Sequence, residues 1–213
     1  MKIVLSIPSG FRKEGLANVI LKWRKVCNFK IVVYTWDKET VRFVSHLADS
    51  ICIGDFKSYA CNHNFLARTI IKDWDVYICG ADDLYPGFGI ENIEIICKRY
   101  PDKILWVRDG FLNQQITHPI ITRGWYEKYN EIFDEKFKHN FCDTDLLVRA
   151  LAKNEIIKCF DISFDHRHYL KTGKKKDEIY RIGESSYAED RKYFNEKHKD
   201  KNININNVPE VKV

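Results

Sequence analysis

No Gly-x-Gly-x-x-Gly follows the first apolar run of this sequence, and no Gly-x-x-x-x-Gly-Lys-Ser/Thr occurs in it. Both absences argue against a conventional dinucleotide fold and a P-loop nucleotidase, each of which cradles phosphates on a glycine-rich loop. No Cys-x-x-Cys pair is present either, and the seven cysteines are odd in number and scattered, several in apolar runs. That usage argues against a disulfide framework or a zinc site and predicts buried thiols in a reducing, cytoplasmic setting. Nothing approaches the ~18–20 apolar residues that span a bilayer, so no transmembrane segment is expected. The opening Met1-Lys2-Ile3-Val4-Leu5-Ser6-Ile7-Pro8 is too short for a signal-peptide core, lacks a small-residue cleavage site and reads as a first strand. What is there is globular: 45% hydrophobic and 31% charged residues exclude a wholly disordered chain. The 213 residues suffice for one good-sized domain and are too few for two comfortable ones.

A strong excess of one charge is also missing, since the formal net charge is +5. Residues 171–213 hold 11 Lys/Arg against 8 Asp/Glu, with the sharpest cluster at Lys174-Lys175-Lys176 beside Lys171. A polyanion or anionic membrane surface could bind there. Asp177 and Glu178 follow at once, which favours a solvated basic loop. The charge gives only weak support for a nucleic-acid partner.

The first 110 residues alternate short β-rich runs with longer helical stretches. Strands are predicted at Lys2–Pro8, Phe29–Trp36, Ser50–Ile53, Asp75–Cys79 and Lys103–Val107. Helices are predicted around Leu16–Val26, Lys38–Ala48, Asn62–Lys72 and Ile90–Arg99 from apolar residues at helical spacing. This alternation predicts an α/β domain with a mostly parallel central sheet flanked by helices. Further on, Asp143–Lys153 reads as a helix, Ile156–Phe160 as a last strand and residues 161–185 as a polar loop. A charged helix near Tyr187–His198 and a low-complexity end at Lys201–Asn207 complete a basic C-terminal helical tail. The division is a domain over 1–170 and a tail over 171–213.

Three acidic constellations carry chemistry. In Val76-Tyr77-Ile78-Cys79-Gly80-Ala81-Asp82-Asp83-Leu84-Tyr85-Pro86-Gly87, an apolar strand ends at glycine and two adjacent carboxylates. Ligands of open α/β sheets bind beyond the carboxyl ends of strands. Mg²⁺ or Mn²⁺ is commonly held there by one or two carboxylates plus substrate phosphates. The plainer reading is that Asp82 and Asp83 cap a turn. Asp143-Thr144-Asp145 opens a helix, where Asp143 could cap and Asp145 sit in the first turn, or one of them could be a general base. Asp165-His166-Arg167-His168 is a candidate metal or phosphate loop.

The order of these segments resembles the GT-A class of nucleotide-sugar glycosyltransferases, especially its small family-2-like members. Gly80-Ala81-Asp82-Asp83 is similar to the metal motif, Thr122-Arg123-Gly124-Trp125 to the acceptor-side glycine loop, and Asp143-Thr144-Asp145 to the later acidic motif. His166 or His168 is similar to the C-terminal metal histidine, and Val4–Ser9 to the nucleotide-gripping first strand. The likeness covers about residues 1–170. It departs at Ala81, where the family has Asp, and in the separation of Asp143 from Asp145, where the family has adjacent acids.

The resemblance implies a GT-A-type Rossmann-like domain and a metal-dependent glycosyltransferase using Mn²⁺ or Mg²⁺. The donor would be a nucleoside-diphosphate sugar, UDP-linked by preference, and the acceptor a hydroxyl on a glycan, a lipid-linked sugar or a modified nucleic-acid base. It implies Asp83 with His166 or His168 on the metal, Asp145 or Asp143 as base, and Ser6, Pro8, Asp37, Arg68, Asp82 and Lys174 toward the donor. The alternatives are a catalytically inactive nucleotide-sugar-binding module and a metal-dependent phosphoesterase or nuclease.

Overall fold

The computed structural model describes the chain except residues 56, 70–73, 113–114, 174, 200–207 and 213. The Lys174 and Lys201–Asn207 expectations lie outside the described residues. Eight strands are β1 (Ile3–Ser9), β2 (Lys30–Thr35), β3 (Ser50–Ile53), β4 (Val76–Cys79), β5 (Leu84–Pro86), β6 (Ile104–Arg108), β7 (Ile120–Thr122) and β8 (Ile156–His166). The α-helices are α1 (Lys13–Val26), α2 (Lys38–Val44), α3 (Tyr59–Thr69), α4 (Ile93–Arg99), α5 (Arg123–Tyr129), α6 (Cys142–Ala152), α7 (Tyr169–Thr172), α8 (Glu178–Ser185) and α9 (Tyr187–His198).

The strands form one sheet in the order β3-β2-β1-β4-β7-β6-β8-β5. β3, β2, β1 and β4 run parallel, as do β6 and β8, whereas β7 lies antiparallel between β4 and β6. The sheet is buried on both faces, as parallel sheets between helices are. Successive strand residues therefore enter opposite cores. Ile3, Leu5, Ile7, Ile31, Val33, Val76 and Ile78 join Leu16, Ile20 and Trp23 of α1 on one side. Val4, Val32, Tyr34, Tyr77 and Cys79 meet Leu66 of α3, Trp125 of α5 and Leu146 of α6 on the other.

The elements β5, β7, α5, α7 and α8 have no counterpart in the sequence-based expectation, and α7 and α8 lie in the segment 161–185 that reads as loop. The last strand does not stop at Phe160 but continues to His166. Its second half pairs antiparallel with β5, Leu84 opposite His166, so residues 161–166 are strand rather than loop. α9 is the helix expected near Tyr187–His198, and it packs Tyr193 and Phe194 against the second core. All seven cysteines are free thiols, Cys79, Cys97, Cys142 and Cys159 being buried. No helix among the described residues is long and apolar enough to cross a membrane.

Candidate active site

The acidic doublet sits where the sheet places ligands. After β4, the Gly80 N–H donates to the Ser6 carbonyl at 2.9 Å. A Cβ on Gly80 would lie 2.6 Å from that oxygen, so only glycine lets the chain leave the strand so close to β1. The turn closes with Leu84 N–H on the Ala81 carbonyl at 3.2 Å, and Trp23 Nε1 of α1 fixes the Leu84 carbonyl at 2.9 Å. Asp82 is buried and accepts from Ser9 Oγ at 2.6 Å and from Arg12 at 2.8 Å. Burial raises its pKa while the Arg12 guanidinium opposes the rise.

Asp83 faces the other way, toward β8. The β5–β8 pairing brings His166 Nε2 to 3.6 Å from Asp83 Oδ2, and His166 Nδ1 to 3.3 Å from Asp109 Oδ2. Burial disfavours a charged His166, yet hydrogen bonds to Asp109 and Asp83 prevail and raise its pKa to about 9. The same contacts hold both carboxyls below their usual range against burial. Asp109 also accepts from the N–H groups of Phe111 and Leu112 and from Thr117 Oγ1. His118, buried 4.6 Å from His166 ring to ring, makes its Nδ1 bond to the Cys79 carbonyl at 3.0 Å. Its Nε2 is buried without a hydrogen-bond partner among the described residues, and burial, then His166, lowers its pKa to about 4.

A lid of polar contacts covers the doublet. Tyr180 of α8 donates its phenol to Asp83 at 2.5 Å, and Asp177 makes a two-pronged pair with Arg12 at 2.7 and 2.8 Å. The Arg12 guanidinium lies 4.3 Å over the Tyr180 ring. His168 stacks on Phe111 at 4.8 Å and meets Tyr180 at 4.7 Å, while its Nδ1 accepts the Leu170 N–H that starts α7. His166, not His168, is therefore the imidazole against Asp83.

The two acids of the later motif are sharply different. Asp145 is 0% exposed and enclosed by three nitrogen-bearing side chains: Arg149 Nε at 2.8 Å, Lys197 Nζ at 2.8 Å and His198 Nε2 at 2.7 Å. With its oxygens held by these three side chains and no exposed surface, Asp145 is the less accessible of the two acids expected as base. Asp143 is half-buried, and besides its own backbone its hydrogen-bond partner is Thr144. Burial raises its pKa, the direction that suits a proton acceptor.

The remaining expected residues scatter. Ser6 is buried, and its hydroxyl binds His63 Nδ1 at 2.8 Å inside the fold, out of reach of a ligand. Asp37 caps α2, accepting from the N–H groups of Glu39 and Thr40 and from Thr40 Oγ1. Arg68 is exposed, paired with Glu135 at 3.0 Å, and follows Ala67, whose carbonyl binds Trp74 ahead of β4. It thus lies toward the end of β4 opposite the doublet. Pro8 is half-buried near the mouth, in register with Tyr34. The Thr122–Trp125 segment is also at the far end, since Thr122 pairs with Val76 and the Arg123 N–H binds the Asp75 carbonyl. The doublet is bordered instead by residues 109–112 and 115–119, with the Pro119 carbonyl on the Cys79 N–H.

Sequence reading missed Arg12, Asp109, His118 and Tyr180. Asp109-Gly110 after an apolar strand was a usable turn signal. Nothing local marks Tyr180, which is 97 residues from Asp83.

Among the described residues, no three His, Cys, Asp or Glu side chains form a ready metal cage. Asp83 and His166 nevertheless supply one oxygen and one nitrogen at 3.6 Å separation, beside the orphaned His118 Nε2. That set fits an open divalent site completed by ligand oxygens, and its imidazole suits Mn²⁺ better than Mg²⁺.

No family model matches the sequence, and no curated protein matches it. The fold does match solved structures. A mannosyltransferase from Pyrobaculum calidifontis, in complex with GDP-Man and Mn²⁺, aligns with TM-score 0.62 and 11% identity over 95% of this chain and 66% of that one. Mannosyl-3-phosphoglycerate synthase from Rubrobacter xylanophilus aligns with TM-score 0.59 and 10% identity over 98% and 79%. The catalytic domain of Drosophila β1,4-galactosyltransferase 7, in complex with xylobiose, gives 0.51 and 14% over 87% and 79%. The chain has the GT-A-type, Rossmann-like fold of these nucleotide-sugar glycosyltransferases.

Proposed function

We propose that this protein is a glycosyltransferase, moving a sugar from a nucleoside-diphosphate sugar to a hydroxyl acceptor. The observation that carries the proposal is the approach of His166 to Asp83 at the carboxyl end of β4. Asp83 and His166 would hold Mn²⁺ or Mg²⁺, with Asp82 fixing the neighbouring Arg12 and Ser9. When bound, the cation neutralises the leaving diphosphate and polarises its oxygens. Tyr180 must leave Asp83 to open that oxygen, and Arg12, freed from Asp177, is placed for a phosphate. Asp143 takes the acceptor proton as the acceptor oxygen attacks the anomeric carbon. A UDP-linked donor is our preferred first probe, and Pro8 at the mouth borders its nucleoside.

Calorimetry with UDP and GDP in Mn²⁺, paired with hydrolysis of UDP-galactose and GDP-mannose, tests this. Binding with turnover, both abolished in Asp83→Ala without unfolding, is expected. Binding without turnover means an inactive nucleotide-sugar module. Cleavage of DNA or phosphoesters with no nucleotide binding means a phosphoesterase or nuclease, and either result overturns glycosyl transfer.

A further inference from the structure

We infer that Asp190, on the C-terminal helix, is a positioning residue for the acidic turn that carries Asp143; this rests on the base role proposed above. Asp190 is buried, and its two oxygens accept three consecutive backbone N–H groups: Lys138 at 2.9 Å, His139 at 2.9 Å and Asn140 at 2.8 Å. Consecutive amides of this kind form an anion-binding concavity, here filled by the chain's own carboxylate. Ser186 Oγ donates to the same carboxylate at 3.0 Å, and Asn140 Nδ2 donates to the Gly183 carbonyl at 2.8 Å. The segment entering α6 is thus tied down atom by atom to α8 and α9.

The next residue shows why it needs tying. Phe141 has φ 64° and no side-chain cap on the helix it starts. A bulky residue in the left-handed region persists only where its surroundings over-determine it. Its ring is held against Tyr187 at 5.3 Å and Phe194 at 5.4 Å, both on α9. Asp143 stands two residues beyond, so the direction of its carboxylate follows from the Phe141 backbone. On the inner side of the same helical turn, Asp145 is fixed by Lys197 and His198, again from α9. One C-terminal helix therefore sets both the entry and the rotation of the turn that presents the base.

The test uses the full chain with Mn²⁺, UDP-galactose and GDP-mannose as donors, and water as acceptor. Asp190→Ala removes both acceptor oxygens; Asp190→Asn keeps the size and one oxygen. Misplacing a reacting group by about 1 Å costs on the order of 100-fold in rate. The expectation is a kcat loss of about 30- to 100-fold for Ala and a smaller loss for Asn, with KM and UDP affinity within about twofold of wild type. A kcat equal to wild type in a folded variant overturns the inference, as does a loss shared equally by kcat and UDP affinity. If Asp190→Ala does not fold, Asp190→Asn decides on the same two criteria. A wild type that turns over neither donor, whether or not it binds UDP or GDP, overturns the underlying reading instead.

Discussion

The His166 imidazole stands between two carboxylates, and its charge has a measurable consequence. Its pKa rises from 6.5 to about 9 on folding, despite burial, because Asp109 and Asp83 favour the charged form. A group raised in this way stabilises the fold fully below its unfolded pKa, and the gain disappears as pH climbs through the folded value. Without metal, stability should therefore decline between about pH 6.5 and 9, by about 3 kcal/mol. Urea midpoints measured across that window should fall in the wild type and stay flat in His166→Asn. The acids of α6 separate by the same kind of reasoning. Asp143→Asn should lower turnover about 10²- to 10⁴-fold, as loss of a general base does, with UDP affinity and melting temperature little changed. Asp145→Asn removes a buried charge paired with Arg149 and Lys197 and bonded to His198, so it should cost about 3–5 kcal/mol of stability and show first in thermal melts. From sequence the two residues are equivalent acids on one helical turn. What distinguishes them is α9, whose Lys197 and His198 lie 52 and 53 residues from Asp145, beyond any local pattern.

At the scale of elements, helix α8 is held differently from its neighbours. Gly183 is its one buried residue, and apart from the Tyr180 ring against His168 and Tyr169 its attachment is polar: Tyr180 on Asp83, Asp177 on Arg12, and Glu184 bonded by Tyr169 and Lys176. Elements with few buried apolar contacts open locally at low free energy. Removing the Tyr180 phenol in Tyr180→Phe deletes a hydrogen bond to a charged acceptor, of about 1.5–3 kcal/mol. Amide exchange across α8 should then accelerate by about tenfold or more, while α6 and the parallel strands stay protected. An unchanged α8 would mean that the phenol does not hold it. α8 was hard to read because it is only eight residues long, too short for its amphipathic face to stand out among flanking charged residues. β5 and β7 were illegible for a similar reason: at three residues each, neither is long enough to show an alternation. The long strands β1 and β2 and helix α1 were legible because both sheet faces are buried, leaving unbroken runs of β-branched and aromatic residues.

The whole molecule raises the question of where the folding unit ends. The acid doublet and its place after a central strand were readable, because a buried strand closing in glycine and two carboxylates is a local pattern. The expected boundary at residue 170 follows the extent of the family likeness and the basic character of residues 171–213. α9 inserts Tyr193 and Phe194 beside the second core, and its buried Asp190 and His198 bond to residues 138–145. Val208 is buried as well, and the Pro209 carbonyl and Val211 N–H bond the backbone of Lys158 on β8. A chain ending at residue 186 would leave Asp145 with only Arg149, expose the aromatic face of Phe141 and free the edge of β8. Loss of partners from a buried charge alone costs about 3–5 kcal/mol. At roughly 2–4 °C per kcal/mol for a chain of this size, the melting temperature should drop by about 6–20 °C. Calorimetric unfolding of the shortened chain checks this: an unchanged, cooperative transition would show that residues 1–186 fold without α9, whereas the expected drop makes the C-terminal helix part of the domain that presents the acids.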